Sequence, residues 1–171
     1  MMKCVIIAAG KGERLQEKGT SKPLVNFLGL PLIERTIRTA IKAGMNEFFV
    51  VTGHEKDPLE GILNKLSEDT GLDIHTIYNP EWENKANGFS VLTVKDKIKE
   101  PFLLLMSDHL FDPSIVRNLF SKSNKPDVVL AIDTKINNPM IALDIVTKIK
   151  VDNNKITKIG KNLKQYDGFD T

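Results

Sequence analysis

The stretch Cys4-Val5-Ile6-Ile7-Ala8-Ala9-Gly10-Lys11-Gly12-Glu13-Arg14-Leu15 decides the fold, together with Ser21-Lys22-Pro23-Leu24 a few residues on. Its first residues are apolar and rich in β-branched side chains, the composition of a buried strand. The run empties into small residues, where backbone N–H groups lie open. Gly10 and Gly12 allow positive φ and a close approach by a ligand, and successive N–H groups in such a loop form a concavity for anions. Arg14 offers a planar fork to phosphate oxygens, and Lys22 a compact, movable charge. The segment therefore predicts a phosphate seat at the end of a first buried strand.

Eleven glycines in 171 residues make a Gly-x-Gly expected about once by chance, so its context has to carry the reading. A Walker A loop separates its glycines by four residues and continues Lys-Ser or Lys-Thr, and neither occurs here. A dinucleotide fingerprint requires a third glycine near Leu15 and an acid ending the second strand, where Val51-Thr52-Gly53 stands. Both are excluded. The composite Ala8-Ala9-Gly10-x-Gly12-x-Arg14-Leu15 with Lys22-Pro23-Leu24 resembles the signature of the sugar-nucleotidyltransferases, the nucleotide-sugar pyrophosphorylases. The resemblance implies a Rossmann-like α/β nucleotidyltransferase fold. It also implies transfer of a nucleotidyl group from an NTP to a phosphorylated sugar, polyol or alcohol, with Mg²⁺ assisting and pyrophosphate leaving.

Composition sets the outer limits. With 41% hydrophobic residues the chain can bury a core, and its length suggests one domain over residues 1–171. Twenty-four basic against twenty-two acidic residues leave a net charge of +2, too balanced to advertise a nucleic acid or an anionic membrane. No apolar run has the length of a membrane span, and the start shows no signal-peptide pattern, so a cytoplasmic protein with small-molecule substrates is expected. The single cysteine, Cys4, fits a reducing compartment and reads as a small core residue.

Periodicity predicts strand and helix in alternation. Strands are expected at Cys4–Ala8, Glu47–Thr52, Asp73–Tyr78, Phe102–Met106 and Asp127–Ile132, the Phe102 run being apolar enough for a strand covered on both faces. Helices are expected at Pro31–Gly44, Pro58–Leu66, Gly88–Lys97 and Pro113–Phe120. The alternation argues a mostly parallel central sheet with helices on both faces, its ligand crevice at the carboxyl ends of the strands. Near the end the texture changes, and Ile145–Val151 with Lys155–Ile159 predicts a small β-hairpin region. Tyr166-Asp167-Gly168-Phe169-Asp170-Thr171 closes with no further strand or helix expected, which suggests a chain truncated at its C-terminal end.

Several residues fall at the predicted crevice. Asp108 follows a buried strand and matches the resembled family's metal aspartate, so it is the expected Mg²⁺ ligand and, with Arg14 and Lys22, a catalytic candidate. Capping is the competing role for Asp108, with Asp112 the better cap before Pro113. Ala8, Ala9, Gly10, Gly12 and Lys22 form the expected nucleotide seat. Asn87-Gly88-x-Ser90 falls where the resemblance lays the nucleobase on a backbone turn, although Asn87 also suits a plain helix cap. Thr52-Gly53 is a further nucleoside contact or a structural turn. His109, Lys148 and Lys161 are candidates for the acceptor substrate, and each also reads as an ordinary loop or edge-strand residue. His54, His75 and Trp82 read as structural.

Met106-Ser107-Asp108-His109, Glu83-Asn84-x-x-Asn87-Gly88-x-Ser90, Lys148-x-Lys150-Val151-Asp152 and Ile159-Gly160-Lys161 narrow the resemblance to the inositol-1-phosphate cytidylyltransferases. That branch implies CTP and inositol 1-phosphate as substrates, CDP-inositol as product, and fusion of the cytoplasmic domain to a membrane domain. Hexose-1-phosphate and phosphocholine nucleotidyltransferases of the same fold are the alternatives. A noncatalytic nucleotide-binding regulatory domain is the alternative of another class.

Overall fold

A computed structural model describes residues 2–12, 21–122, 128–139 and 141–170. The chain divides into two compact units, Met1–Arg117 and Asn118–Thr171.

The first unit is built on four parallel strands: β1 (Lys3–Ala8), β4 (Glu47–Thr52), β5 (Asp73–Tyr78) and β6 (Phe102–Met106). Between β1 and β4 come a one-turn 3₁₀ helix (Lys22–Leu24), the two-residue strands β2 (Asn26–Phe27) and β3 (Leu30–Pro31), and helix α1 (Leu32–Lys42). Helix α2 (Lys56–Thr70) joins β4 to β5, and α3 (Asn87–Leu92) precedes β6. The strand order is β5-β4-β1-β6, with β1 central. Ala8 pairs with Thr52 and Thr52 with Tyr78, so three strands end at one level.

The register explains why β1 reads as an unbroken apolar run. Its odd residues Val5 and Ile7 join Phe49, Val51, Val94 and Ile98 in one core cluster, while the even residues Cys4 and Ile6 are fully buried as well. Both faces are covered, as a central parallel strand requires. Burial pushes the Cys4 thiol well above its ordinary range, so it stays protonated and packs as a small apolar group. Helix α1 turns Leu32, Ile33, Thr36, Ile37 and Ala40 inward at helical spacing, and α2 does the same with Leu59, Leu63 and Leu66.

Three expectations for this unit need correction. Helix α3 ends at Leu92 rather than Lys97; the Thr93 hydroxyl donates to the Ser90 carbonyl at 2.7 Å, and the chain continues in turns around Val94. Among the described residues, strand β6 is not covered on both faces: it pairs with β1 alone at the sheet edge, and its middle residue Leu104 is 46% exposed. Helix α2 begins before Pro58, which sits in its first turn, where proline costs nothing.

Helix α4 (Pro113–Lys122) opens at Pro113, with the Asp112 carboxylate accepting the Ser114 N–H at 2.8 Å. Hydrogen bonds from the Ser114 side chain and then its backbone N–H lower the Asp112 pKa, and Asp112 caps the helix. The second unit is an antiparallel sheet of β7 (Ile132–Asp133), β8 (Lys148–Asp152), β9 (Lys155–Gly160) and β10 (Gly168–Asp170), in the order β7-β10-β8-β9. The β8–β9 hairpin is the predicted one, closed by Asn153 and Asn154 at φ 47° and 60°. Asparagine tolerates that conformation.

The sequence reading missed two features of this unit. Of the strand expected at Asp127–Ile132, only Ile132 is in a strand among the described residues, and β7 pairs antiparallel with β10 instead of extending the parallel sheet. The final residues do form a strand: β10 lies between β7 and β8. It is only three residues long, too short for a periodic signal. The Asp167 carboxylate ties it down, accepting the Val151 N–H at 2.8 Å and the Lys150 ammonium at 2.9 Å.

Candidate functional site

The carboxyl edge of the parallel sheet gathers most of the residues singled out in the first unit. Beyond β1 the chain runs through Ala9, whose carbonyl accepts the His54 N–H at 2.9 Å and so ties the loop to the end of β4. Gly53 lies beneath this crossing. A Cβ there would stand 2.5 Å from the Ala9 oxygen and 2.7 Å from the Trp82 Cβ, so only glycine allows the three segments to meet. Gly10 faces open space, whereas Gly12, at φ 65°, passes so close to Lys22 that a Cβ would come within 2.7 Å of the lysine Cβ. The glycine loop therefore lies directly over Lys22.

Lys22 sits in the 3₁₀ turn, and its Nζ is in direct contact with Asp108 Oδ2. The side chains are 30% and 15% exposed, so the pair is sheltered but open on one side. Asp108 owes its place to β6. The Ser107 N–H donates to the Ile7 carbonyl at 3.1 Å, extending the ladder by one residue past Met106. From α1, the Thr36 hydroxyl lies 3.4 Å from the Ser107 oxygen and 3.3 Å from the His109 oxygen. Asp108 makes no cap, since Asp112 supplies it. His109 is near the pair, with Nε2 at 3.9 Å from Asp108 Oδ1. Arg14 and residues 13–20 lie outside the described residues.

The other candidates are distributed unevenly. Thr52 is fully buried and its hydroxyl donates to Glu60 Oε1 at 2.9 Å, which turns it toward α2. Ser90 is buried too, and its Oγ accepts the Asn79 amide at 2.9 Å. Asn87 and Gly88 are exposed at the start of α3, and the cap residue is Ala86, which leaves the Asn87 side chain without a capping role. In the second unit, the Lys148 ammonium donates to the Lys161 carbonyl at 2.9 Å and lies 5.6 Å from the centre of the Tyr166 ring. That unit thus brings the segments of both lysine candidates together.

Two residues at this edge, Asn79 and Glu55, escaped the sequence reading, and Trp82, read as structural, has a definite place. A cleft of about 240 Å³ is lined by Lys11, Gly12, Trp82 and Glu83. Trp82 packs against the His54 ring at 5.1 Å and joins the core cluster, so it forms the floor of the loop rather than a free surface residue. Asn79 is fully buried, with its oxygen accepting the Glu81 N–H and its amide reaching Ser90. Glu55 accepts the Ser21 N–H at 2.8 Å. Of Asn79 and Glu55, only Asn79, in Asn79-Pro80, carried a sequence signal, as a turn.

Asp108 is the carboxylate here that suits a divalent cation. Mg²⁺ is bound by one or two carboxylates, with phosphate oxygens and water completing its shell. A single sheltered carboxylate beside the glycine loop fits that demand. Among the described residues there is no group of three or more His, Cys, Asp or Glu side chains of the kind an all-protein metal cage needs. No helix among them is long and apolar enough to cross a membrane.

Fold and site together define a Rossmann-like α/β domain with a glycine loop and a cation–carboxylate pair at the carboxyl edge of its sheet. Residues 4–149 match the family model described as the MobA-like NTP transferase domain, and the chain belongs to that family. It is 36% identical over 166 residues to a "Bifunctional IPC transferase and DIPP synthase" of Rubrobacter xylanophilus, covering 96% of this chain and 36% of that one. A protein of the same description from Thermococcus kodakarensis is 35% identical over 169 residues, covering 99% and 36%. The chain thus spans about a third of the length of the curated relatives it matches. Among solved structures, the inositol-1-phosphate CTP transferase from T. maritima superposes with a TM-score of 0.80 at 26% identity, covering all of this chain and 68% of that one. A UDP-glucose pyrophosphorylase shares the fold, with a TM-score of 0.76 at 20% identity over 99% of this chain and 74% of its own.

Proposed function

We propose that the protein transfers CMP from CTP to inositol 1-phosphate, giving CDP-inositol and pyrophosphate. The observation that carries the reading is the meeting of Lys22 and Asp108 beneath the glycine loop, at the edge where parallel α/β sheets bind ligands. The names of the relatives from Rubrobacter and Thermococcus and of the T. maritima structure support the choice of nucleotide and acceptor. Of the two activities in the relatives' name, the proposal takes the transferase. The reaction belongs in the cytoplasm, where a lone buried thiol stays reduced.

In the reaction, an oxygen of the acceptor phosphate attacks the α-phosphorus of CTP in line. A new P–O bond forms, the bond to the β-phosphate oxygen breaks, and pyrophosphate leaves with that electron pair. The nucleophile is already an anion, so the protein needs no covalent intermediate or general base. Its work is to hold two mutually repelling anions in line and to stabilise the charge of the transition state. The open N–H groups around Gly10 and Gly12 and the Lys22 ammonium would cradle the triphosphate, with Arg14 gripping the departing pyrophosphate. Asn87 and Gly88, exposed at the head of α3, would meet the cytosine, and Trp82 would wall its side of the cleft. His109 would line the acceptor side. Asp108 would hold Mg²⁺, which when bound neutralises phosphate charge and fixes the α-phosphate for attack.

The test is pyrophosphate release from a panel of CTP, UTP, dTTP and GTP, each paired with inositol 1-phosphate, glucose 1-phosphate and phosphocholine. Release with CTP and inositol 1-phosphate at least tenfold above every other pair is expected. Faster release with a hexose 1-phosphate would replace the acceptor. Tight binding of CTP with no release for any pair would make the chain a nucleotide-binding module instead.

A further inference from the structure

Glu55 stands immediately before α2 at φ 49° and ψ 43°, in the left-handed region that long side chains rarely adopt. Glycine is the residue this region favours. A non-glycine residue persists there when its surroundings hold it in place, and such positions concentrate where function needs them. Helix capping does not explain the choice, because Glu55 is the N-cap of α2 and makes no side-chain capping bond. Its carboxylate is used across the fold instead. Oε2 accepts the Ser21 N–H at 2.8 Å, over a separation of 34 residues.

Ser21 is the residue before Lys22, and the Lys22 ammonium meets Asp108. The backbone of Glu55 is itself anchored, by a bridge to Gly53 at the end of β4 and by its carbonyl, which accepts the Leu59 N–H at 3.4 Å. One carboxylate thus ties the rigid end of a central strand to the start of the lysine's turn. A lysine ammonium rides on a flexible four-carbon stem, so where it reaches depends on how firmly its backbone is held. We infer that Glu55 is the positioning residue for Lys22. The unusual backbone at position 55 aims the carboxylate at the Ser21 N–H, and that bond keeps Lys22 under the glycine loop. The inference rests on the reading of Lys22 as the ligand of the α-phosphate.

Glu55→Gly separates this role from a structural one, because it relieves the left-handed backbone while removing the anchor. The expected outcome is a melting temperature equal to or above the parent's, with kcat for CMP transfer about tenfold lower and KM for CTP changed less. Exchange of the Ser21 amide, followed by NMR, should quicken about tenfold. Glu55→Gln, whose amide oxygen can still accept the bond, should restore most of the loss. A Glu55→Gly protein with parent-like kcat and parent-like Ser21 exchange would overturn the inference. Lys22→Ala in the same assay tells the two readings apart. A loss of about 100-fold in Lys22→Ala beside a parent-like Glu55→Gly would sink the positioning role alone, whereas parent-like turnover in Lys22→Ala would sink the phosphate role of Lys22 and the inference with it. The exchange measurement needs no turnover, and unchanged exchange on its own counts against the anchor.

Discussion

Gly53→Ala puts the crossing of the glycine loop and the end of β4 under direct test. The added methyl would lie 2.5 Å from the Ala9 oxygen and 2.7 and 2.8 Å from the Trp82 Cβ and Cγ, all well inside van der Waals contact. Neither neighbour yields easily. The Ala9 carbonyl is fixed by the His54 N–H at 2.9 Å, and Trp82 is packed against the core cluster and the His54 ring. Forcing extra volume into such a site costs about 1–3 kcal/mol, which for a chain of this size lowers the melting temperature by about 2–12 °C. Trp82 is the sole tryptophan, so its fluorescence reports on this contact alone. The variant should melt earlier by circular dichroism, and in the folded state its emission should shift as the indole is pushed away. Nucleotide affinity should fall with it, since Lys11, Gly12 and Trp82 line one cleft. Parent-like melting together with an unshifted emission maximum would refute the packing described here.

Two further outcomes follow from buried and charged groups away from the loop. Asn79→Ala removes a fully buried amide that binds both Ser90 and the Glu81 N–H, and urea unfolding should show a loss of about 2–3 kcal/mol. Asp167 is held below the usual aspartate value of 3.8, first by the Val151 N–H and then by Lys150. A lowered folded-state pKa gives stability that is present above the unfolded value and lost as pH falls through the folded one. The difference in melting temperature between parent and Asp167→Asn should therefore hold steady above about pH 5 and close below pH 4. A gap that persists unchanged into acid would contradict the clasp.

How much was legible in the sequence depended on what each residue's neighbours had to be. Strands β4, β5 and β6 are found at the residues expected; β4, buried between parallel neighbours, is apolar through Phe48–Val51, while the edge strand β5 shows its place by short length and β-branched residues instead. The need for glycine at Gly12 was legible too, since it stands at φ 65° where a Cβ would meet Lys22. The exposure of Leu104 was not, because an apolar run cannot report that one side of its strand has no partner. Strands β7 and β10 have two and three residues, too few to show alternation, and only their pairing with each other and that of β10 with β8 define them. Glu55 and Asn79 were missed for a further reason. Each works through a partner distant in sequence or through a backbone angle, and neither leaves a local pattern. Thr52 and Ser90 matched the expected spacing, but the fold turns their hydroxyls to Glu60 and Asn79.

The most direct measurement of the central claim is a crystal structure of the protein with CTP and Mg²⁺. The account predicts the triphosphate over Gly10 and Gly12, the Lys22 ammonium moved from Asp108 to an α-phosphate oxygen, and the freed Asp108 carboxylate on the metal. Nucleotide density elsewhere on the molecule, with Lys22 and Asp108 still in contact, would contradict it.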